Sequence, residues 1–240
     1  MNLQHLIQRQ QHKLITFTNT QSVDEMYAPE PATKNIPDWY KKTSNRIGGK
    51  KEPSSVPTIK KCVPVFDAMS MGYYLVTSAD VYVKQTDDGP EYIQAQASAY
   101  QTIDFRAHPL MQASKHPDSL GLQVFPKWIN SWAIKTPKGY STLFVAPMHN
   151  PNPYFEAFPG CVDTDTYSAP VNFPFQLKDP KFEGLIPAGT PIVQIIPFKR
   201  DEWKSAISND VAPVNKIVSK LNSQMFDRYK KLFWSRKEYR

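Results

Sequence analysis

The sequence predicts a mainly β protein in three parts: an N-terminal extended arm over residues 1–60, an antiparallel β body over residues 61–200 and a basic C-terminal α-helix over residues 201–240. The 240 residues include 22 prolines and only 9 glycines, and proline in a β protein marks edge positions and strand ends. Short runs of alternating β-branched and aromatic residues fill the middle of the chain. Apolar residues at three- and four-residue steps follow near the C-terminus, as in an amphipathic helix.

The N-terminal part begins with a Gln-rich segment over residues 2–13, which can form a helix, and LITFT at residues 14–18 then predicts a strand. Residues 27–60 combine prolines, lysines and a Gly-Gly pair, which is typical of a connecting arm. Within the arm, Asp38 can cap a single helical turn, while Trp39 and Tyr40 bury their rings against the body or a partner. The arm is therefore expected to be ordered by docking.

The β body is predicted from a series of alternating segments. The first pair, residues 72–84 and 91–98, is joined by the turn sequence DDG at residues 87–89, which is typical of a hairpin. Segments 132–148, 160–177 and 184–198 continue the pattern. We therefore expect helices to be confined to the two termini and to short turns.

The net charge of +7 is concentrated at the C-terminus, because residues 216–240 carry eight Lys or Arg against two acidic residues. Three interpretations of the predicted helix remain open: it packs on its own domain, it docks on a neighbouring subunit, or it contacts nucleic acid through its basic face. Candidate partner-binding residues in its last part are Lys230, Lys231, Phe233 and Trp234. Any contact with nucleic acid is expected only through this tail.

Several classes of protein are excluded by what the sequence lacks. It contains neither G-x-G-x-x-G nor G-x-x-x-x-G-K-[ST], so a phosphate-loop enzyme is not expected. The five histidines show no metal-ligand spacing, and we predict no metal site. No apolar run approaches the length of a membrane span, and the N-terminus does not have the pattern of a signal peptide. We therefore expect neither membrane insertion nor secretion.

Residues 160–167 (GCVDTDTY) and 186–194 (IPAGTPIVQ) together resemble the third and fourth motifs of the trimeric dUTPase superfamily, and residues 136–147 resemble the loop before its second motif. The resemblance covers about residues 135–198 and implies the double-hairpin β fold called the β-clip. It also implies a ligand site: Asp163 would position the attacking water and Tyr167 would stack on a base. Gln194 would lie on the strand near the phosphates.

The carboxylates of Asp163 and Asp165 stand two residues apart, so on an extended strand both could meet one Mg²⁺ or one water. Alternatively, they belong to a turn and bond to local backbone. The sequence departs from the dUTPase pattern where phosphate is gripped: Pro191 replaces the arginine of the fourth motif, and no glycine follows Gly189. The resemblance therefore implies the fold more strongly than an activity.

The arm and the start of the body resemble a second family as well. Residues 31–41 carry its P-A-x-x-x-[IL]-P-D-W-[YF]-K motif, and residues 58–73 its [TV]-[IV]-K-K-C-x-P-x-x-D-A-[ML]-x-x-G-Y motif. This is an uncharacterised family of phage and bacterial proteins. The resemblances imply a phage structural or assembly protein with a catalytically inactive β-clip, trimeric and without a cofactor, in the virion or the host cytoplasm. The alternative is a divergent Mg²⁺-dependent nucleotide pyrophosphatase or nucleotide-binding protein, with Asp163 as its catalytic residue.

Overall fold

The structure is a computed structural model that describes residues 13–21, 25–48, 55–94, 105–108, 115–116, 125–222 and 228–240. Its strands and helices, in chain order, are β1 (Thr16–Asn19), β2 (Glu30–Pro31), α1 (Asp38–Lys42), β3 (Arg46–Ile47), β4 (Val56–Pro57), α2 (Val63–Ser70), β5 (Tyr73–Val76), β6 (Val81–Thr86), β7 (Gly89–Gln94), β8 (Phe105–His108), β9 (Phe125–Trp128), β10 (Trp132–Lys135), β11 (Tyr140–Val145), β12 (Phe155–Ala157), β13 (Gly160–Val162), β14 (Phe173–Leu177), β15 (Gly184–Ile186), β16 (Pro191–Lys199), α3 (Ala212–Asn222) and α4 (Arg228–Leu232). The predicted mainly β class, with antiparallel sheets and a C-terminal helix, is confirmed.

The central sheet has five antiparallel strands in the order β13-β11-β16-β5-β2. β11 pairs with β16 along its whole length, from Tyr140 opposite Lys199 to Val145 opposite Gln194. The buried side chains of these strands include Phe144 and Ile195, which are almost fully buried. This sheet positions both ends of the segment that carries the dUTPase-like motifs.

Two smaller sheets close the other side of the core. One has the order β12-β14-β9-β8 and the other the order β15-β6-β7. The rings of Trp128 and Phe175 are stacked with centroids 5.0 Å apart, and Phe155 packs against both. Because such ring pairs contribute free energy beyond their buried area, this aromatic cluster is a main source of the body's stability.

The N-terminal arm docks on the body of its own chain. β2 pairs with β5, and Tyr40 is buried with its ring 6.1 Å from that of Phe66. The predicted strand at residues 14–18 is observed as β1, paired with β10. The helix predicted over residues 2–13 lies almost wholly outside the described residues. The prediction that Asp38 caps a helical turn is wrong: Asp38 is the first helical residue, and it forms ion pairs with Lys41 and Lys42.

The helix α2 corrects the expectation that helices are confined to the termini and short turns. It spans eight residues at the start of the β body, and Pro64 lies in its first turn, where the absent N–H costs nothing. Its C-terminal end is held from outside, because Gln194 Nε2 donates hydrogen bonds to the carbonyls of Ala68 and Met71. Tertiary contacts therefore stabilise a helix that local sequence does not signal.

The C-terminal segment leaves the body after Arg200 and returns to it at Trp234. Residues 201–211 form no regular secondary structure and are all exposed, as is every residue of α3. The last residues dock again: Trp234 and Lys237 bond to the carboxylate of Asp67. The ring of Tyr239 packs edge-on against Tyr73. Within the described part of the chain, no helix is both long and apolar enough to cross a membrane.

Candidate functional site

The carboxylates of Asp163 and Asp165 lie in a tight turn that follows β13. β13 pairs with β11, with Val162 opposite Thr142. The backbone N–H groups of Thr166 and Tyr167 both donate to the carbonyl of Asp163, at 3.1 and 2.8 Å. The turn therefore reverses the chain immediately after the strand and holds both carboxylates beside β11.

Arg200 joins the two carboxylates from the end of β16. Its Nη1 lies 2.9 Å from Oδ1 of Asp165, and its Nη2 lies 2.5 Å from Oδ2 of the same group. Nη1 also lies 3.1 Å from Oδ1 of Asp163. A bidentate arginine–carboxylate pair is among the strongest polar contacts in proteins because both bonds are charge-assisted. The described cluster of Asp163, Asp165 and Arg200 carries a formal charge of −1.

The two carboxylates differ in their surroundings. The side chain of Asp165 is only 3% exposed, and its Oδ2 accepts a further bond of 2.7 Å from the backbone N–H of Gly139. The hydrogen bonds from Arg200 and Gly139 lower the pKa of Asp165 to about 2. The side chain of Asp163 is 63% exposed, and its Oδ1 accepts a bond of 2.6 Å from the Ser141 hydroxyl.

A buried hydroxyl cluster fixes the turn from below. The side-chain oxygen of Thr164, which is fully buried, lies 2.8 Å from those of both Thr136 and Thr142. The three threonines satisfy one another in the interior, where an unpaired hydroxyl would cost free energy. Within this turn, the Thr164 side chain is buried while the carboxylates of Asp163 and Asp165 contact Arg200.

Gln194 and Tyr167, the other two predicted ligand-binding residues, do not join Asp163 and Asp165 at Arg200. Gln194 lies opposite Val145, four residues along β11 from Ser141, a separation of roughly 13 Å. Its side chain is fully buried, and its Oε1 accepts a bond of 3.0 Å from the backbone N–H of Met148. Tyr167 is 51% exposed. The four predicted ligand-binding residues therefore do not form one pocket: Asp163 and Asp165 meet at Arg200, whereas Gln194 is a structural residue.

The chemistry that this arrangement allows follows from its ion pairs. A Mg²⁺ ion bound by both Asp163 and Asp165 would have to displace Arg200, because the guanidinium already occupies the space between them. Across the described residues, no three His, Cys, Asp or Glu side chains come together in a way that could hold a metal ion. The outer oxygen of Asp163 remains the most accessible acceptor of the cluster.

Asp165→Asn is expected to remove a pH-dependent part of the free energy of unfolding. Because the pKa of Asp165 is about 2 in the folded protein, below its ordinary value of 3.8, its ion pair stabilises the fold at neutral pH. That contribution is lost as the pH falls from about 4 to about 2. Urea denaturation at several pH values should show lower stability of the variant at pH 7 and a smaller loss between pH 4 and pH 2.

The matched control is Arg200→Gln, which leaves the carboxylate in place but removes the main cause of its low pKa. In this variant the free energy of unfolding should also change less between pH 4 and pH 2 than it does in the wild type. A wild-type pH dependence in Asp165→Asn would contradict the role given to this ion pair.

The predicted partner-binding residues lie on both terminal segments. The indole N–H of Trp39 donates a bond of 2.8 Å to the carbonyl of His149, and Tyr40 donates through its hydroxyl to the carbonyl of Lys60. In the tail, Lys230 lies 5.7 Å from the ring centroid of Trp234. The remaining two, Lys231 and Phe233, are exposed. Trp39, Tyr40 and Trp234 thus contact their own chain, and the basic residues face solvent.

Two residues important to these sites are missed by sequence reasoning. Arg200 directly follows β16, and only the pairing of β16 with β11 brings it to the carboxylates. Asp67, 15% exposed, lies within the D-A-M stretch of the second resemblance, but its partners Trp234 and Lys237 are 167 and 170 residues away. Local sequence gives no signal for Arg200, because β11 and β16 are separated by four other strands in the chain.

Comparison with known proteins gives no further identification. No protein-family model matches the chain. No curated protein matches the sequence either.

Proposed function

We propose that this chain is a phage-associated structural or assembly protein, either a virion component or an assembly partner. In this proposal it has a catalytically inactive dUTPase-like β-clip and forms a homo-oligomer, with a trimer as the first expectation. The observation that carries the proposal is an exposed apolar segment in the C-terminal part of the chain. Its members are Trp203, Ile207, Val211, Val214, Ile217, Val218 and Leu221.

The exposure of this segment is unusual for a chain that functions alone. Trp203 is 88% and Ile207 is 99% exposed, and the seven side chains together present on the order of 500 Å² of apolar surface. The largest apolar patches on monomers are of this size and are often functional. A standard interface buries about 800 Å² on each partner, so the segment supplies a large share of one.

The candidate site supports a structural function over a catalytic one. Arg200 neutralises half of the formal charge on the carboxylate pair, and the Gln194 side chain is committed to hydrogen bonds with backbone groups. Hydrolysis of a triphosphate needs cationic groups aimed at the phosphates, whereas here the best-placed cation is held by the protein's own acids. In this proposal the β-clip body is a scaffold, and the terminal segments make the contacts with other subunits.

The mass of the purified protein in solution tests the oligomer. Sedimentation velocity from about 1 to 100 µM should give a defined oligomer, and truncation before Trp203 should convert it to a monomer. Mass spectrometry of purified phage particles should find the protein at stoichiometric copy number if it is a virion component. A wild-type protein that remains monomeric at every concentration would contradict assembly.

A second candidate function is nucleotide binding, which is favoured by the exposure of both Asp163 and Tyr167 on one turn. A panel of nucleotides with Mg²⁺ tests it through release of pyrophosphate and through binding by calorimetry. Turnover or binding that Asp163→Asn abolishes would support this candidate. A full panel without either would end it.

A further inference from the structure

We propose that the outer face of the β15-β6-β7 sheet binds helix α3 of a second copy of this chain. This inference rests on the proposed assembly function and names the surface that accepts the exposed segment. The acceptor face is defined here as the outward side chains of Leu185, Tyr82 and Ile93, together with the charged residues around them.

The acceptor face carries an apolar row that runs straight across three strands. Leu185 on β15 is opposite Tyr82 on β6, and Tyr82 is opposite Ile93 on β7. These side chains are 49%, 42% and 45% exposed, respectively. Their strand neighbours Val81 and Val83 point the other way and are fully buried. The alternation therefore places large apolar side chains on both faces of this sheet, and those on the outer face are exposed in the described part of the chain.

Helix α3 presents a stripe of matching length. Val214, Ile217, Val218 and Leu221 recur at the three- and four-residue spacing that defines one face of a helix, and each is between 38% and 58% exposed. Seven residues of helix advance about 10 Å. Three adjacent strands span about the same distance, since neighbouring strands lie roughly 4.8 Å apart. A helix lying across the strands would thus cover the whole apolar row with its stripe.

The charges around the two surfaces are opposite. Residues 80–94, which include β6 and β7, contain four acidic residues and one lysine. That lysine, Lys84, lies opposite Glu91, and Asp87 and Asp88 form the turn between the strands. The C-terminal segment over residues 216–240 has a net charge of +6, and α3 itself carries Lys216 and Lys220 without an acidic residue. Complementary charges steer association and select the partner. A second copy fits because it brings this basic helix to a hairpin with an excess of acidic residues.

The contact joins two different surfaces of the same chain, so it is heterologous. Each copy offers one helix and one acceptor face, and such contacts close into a ring when the rotation between copies allows it. Residues 201–211 precede α3 without regular structure and could span up to roughly 36 Å when extended. That reach lets α3 extend away from its own body on its N-terminal side, while Asp67 holds Trp234 and Lys237 on the C-terminal side.

Two single substitutions test the inference by breaking one surface each. Val218→Asp places a carboxylate in the helix stripe, and Tyr82→Lys places a cation in the acceptor face. Each is expected to weaken self-association at least tenfold in sedimentation equilibrium. The matched controls are Ser219→Asp on the opposite side of α3 and Tyr82→Phe, which keeps the ring. Both controls should assemble like the wild type, and thermal unfolding should show that all four variants fold.

Mixing the Val218→Asp and Tyr82→Lys variants distinguishes the proposed contact from other modes of self-association. The Val218→Asp chain keeps an intact acceptor face and the Tyr82→Lys chain keeps an intact helix, so the mixture should form a one-to-one complex that neither forms alone. If Tyr82→Lys assembles like the wild type while Val218→Asp does not, the helix docks elsewhere. The inference then fails although assembly stands. A wild type that never assembles overturns both.

A cysteine pair gives an independent geometric test. In a Cys62→Ser, Cys161→Ser background, one chain carries Val218→Cys and the other carries Tyr82→Cys. Oxidation of the mixture should give a crosslinked dimer containing one of each chain, as mass spectrometry can verify. Absence of this product under conditions in which the two chains co-sediment would overturn the proposed contact.

Discussion

Gln194→Leu is expected to lower the free energy of unfolding by about 3–5 kcal/mol, because it removes a fully buried amide and leaves three partly buried backbone groups without its hydrogen bonds. These are the N–H of Met148 and the carbonyls of Ala68 and Met71. Through them, one side chain on β16 ties the end of α2 to the loop after β11. Urea denaturation followed by circular dichroism measures the loss.

The matched control for this prediction is Gln176→Leu, the same chemical change on the partly exposed side of β14. It should change the free energy of unfolding by less than about 0.5 kcal/mol. A role for Gln194 in a phosphate site predicts the opposite pattern: weakened nucleotide binding with unchanged stability. That result would contradict the structural role assigned to Gln194.

Gly72→Ala is expected to have an effect of similar size, for a different physical reason. Gly72 has a φ of +73°, and a Cβ added to it would lie 2.0 Å from the carbonyl oxygen of Ile195. Since that oxygen belongs to the central strand β16, it cannot move without disrupting the sheet. We expect a loss of about 3–5 kcal/mol or a failure to fold, measured by urea denaturation or by the yield of folded protein.

Gly189→Ala is the control that separates backbone strain from the steric clash. Gly189 has a φ of +81°, but no atom lies within 4 Å of the position of its missing Cβ. Its substitution should therefore cost only the strain of the left-handed conformation, about 1–2 kcal/mol. Equal losses in the two variants would show that the contact with Ile195 is not what requires glycine at position 72.

The parts of the fold that local sequence determines were predictable. The β6–β7 hairpin follows from alternation on both strands and from the turn at Asp87 and Asp88, with Gly89 at a φ of +107°. The segment 72–84, predicted as one member of this hairpin, is divided into β5 and β6, which belong to different sheets. The strand β1 was likewise predictable from a short β-branched run. In these elements the residues that specify the structure are neighbours in the chain, so a pattern reveals them.

The parts that sequence could not reveal depend on contacts between distant segments. The helix α2 contains valine and proline and is held at its end by Gln194, 126 residues from Ala68. The pairing of Asp163 and Asp165 with Arg200 requires the register of β11 on β16. The sequence suggested two carboxylates facing one ligand. The register brings an arginine of the same chain to that place, and no local pattern contains that information.

The anchoring of the C-terminal segment at both ends also affects the entropy of assembly. Arg200 holds its start at Asp165, and Asp67 holds its end at Trp234 and Lys237. A chain fixed at both ends samples fewer conformations than a free tail of the same length, so less conformational entropy remains to be lost when it docks. Asp67 can therefore strengthen assembly from within its own subunit, without touching the neighbour.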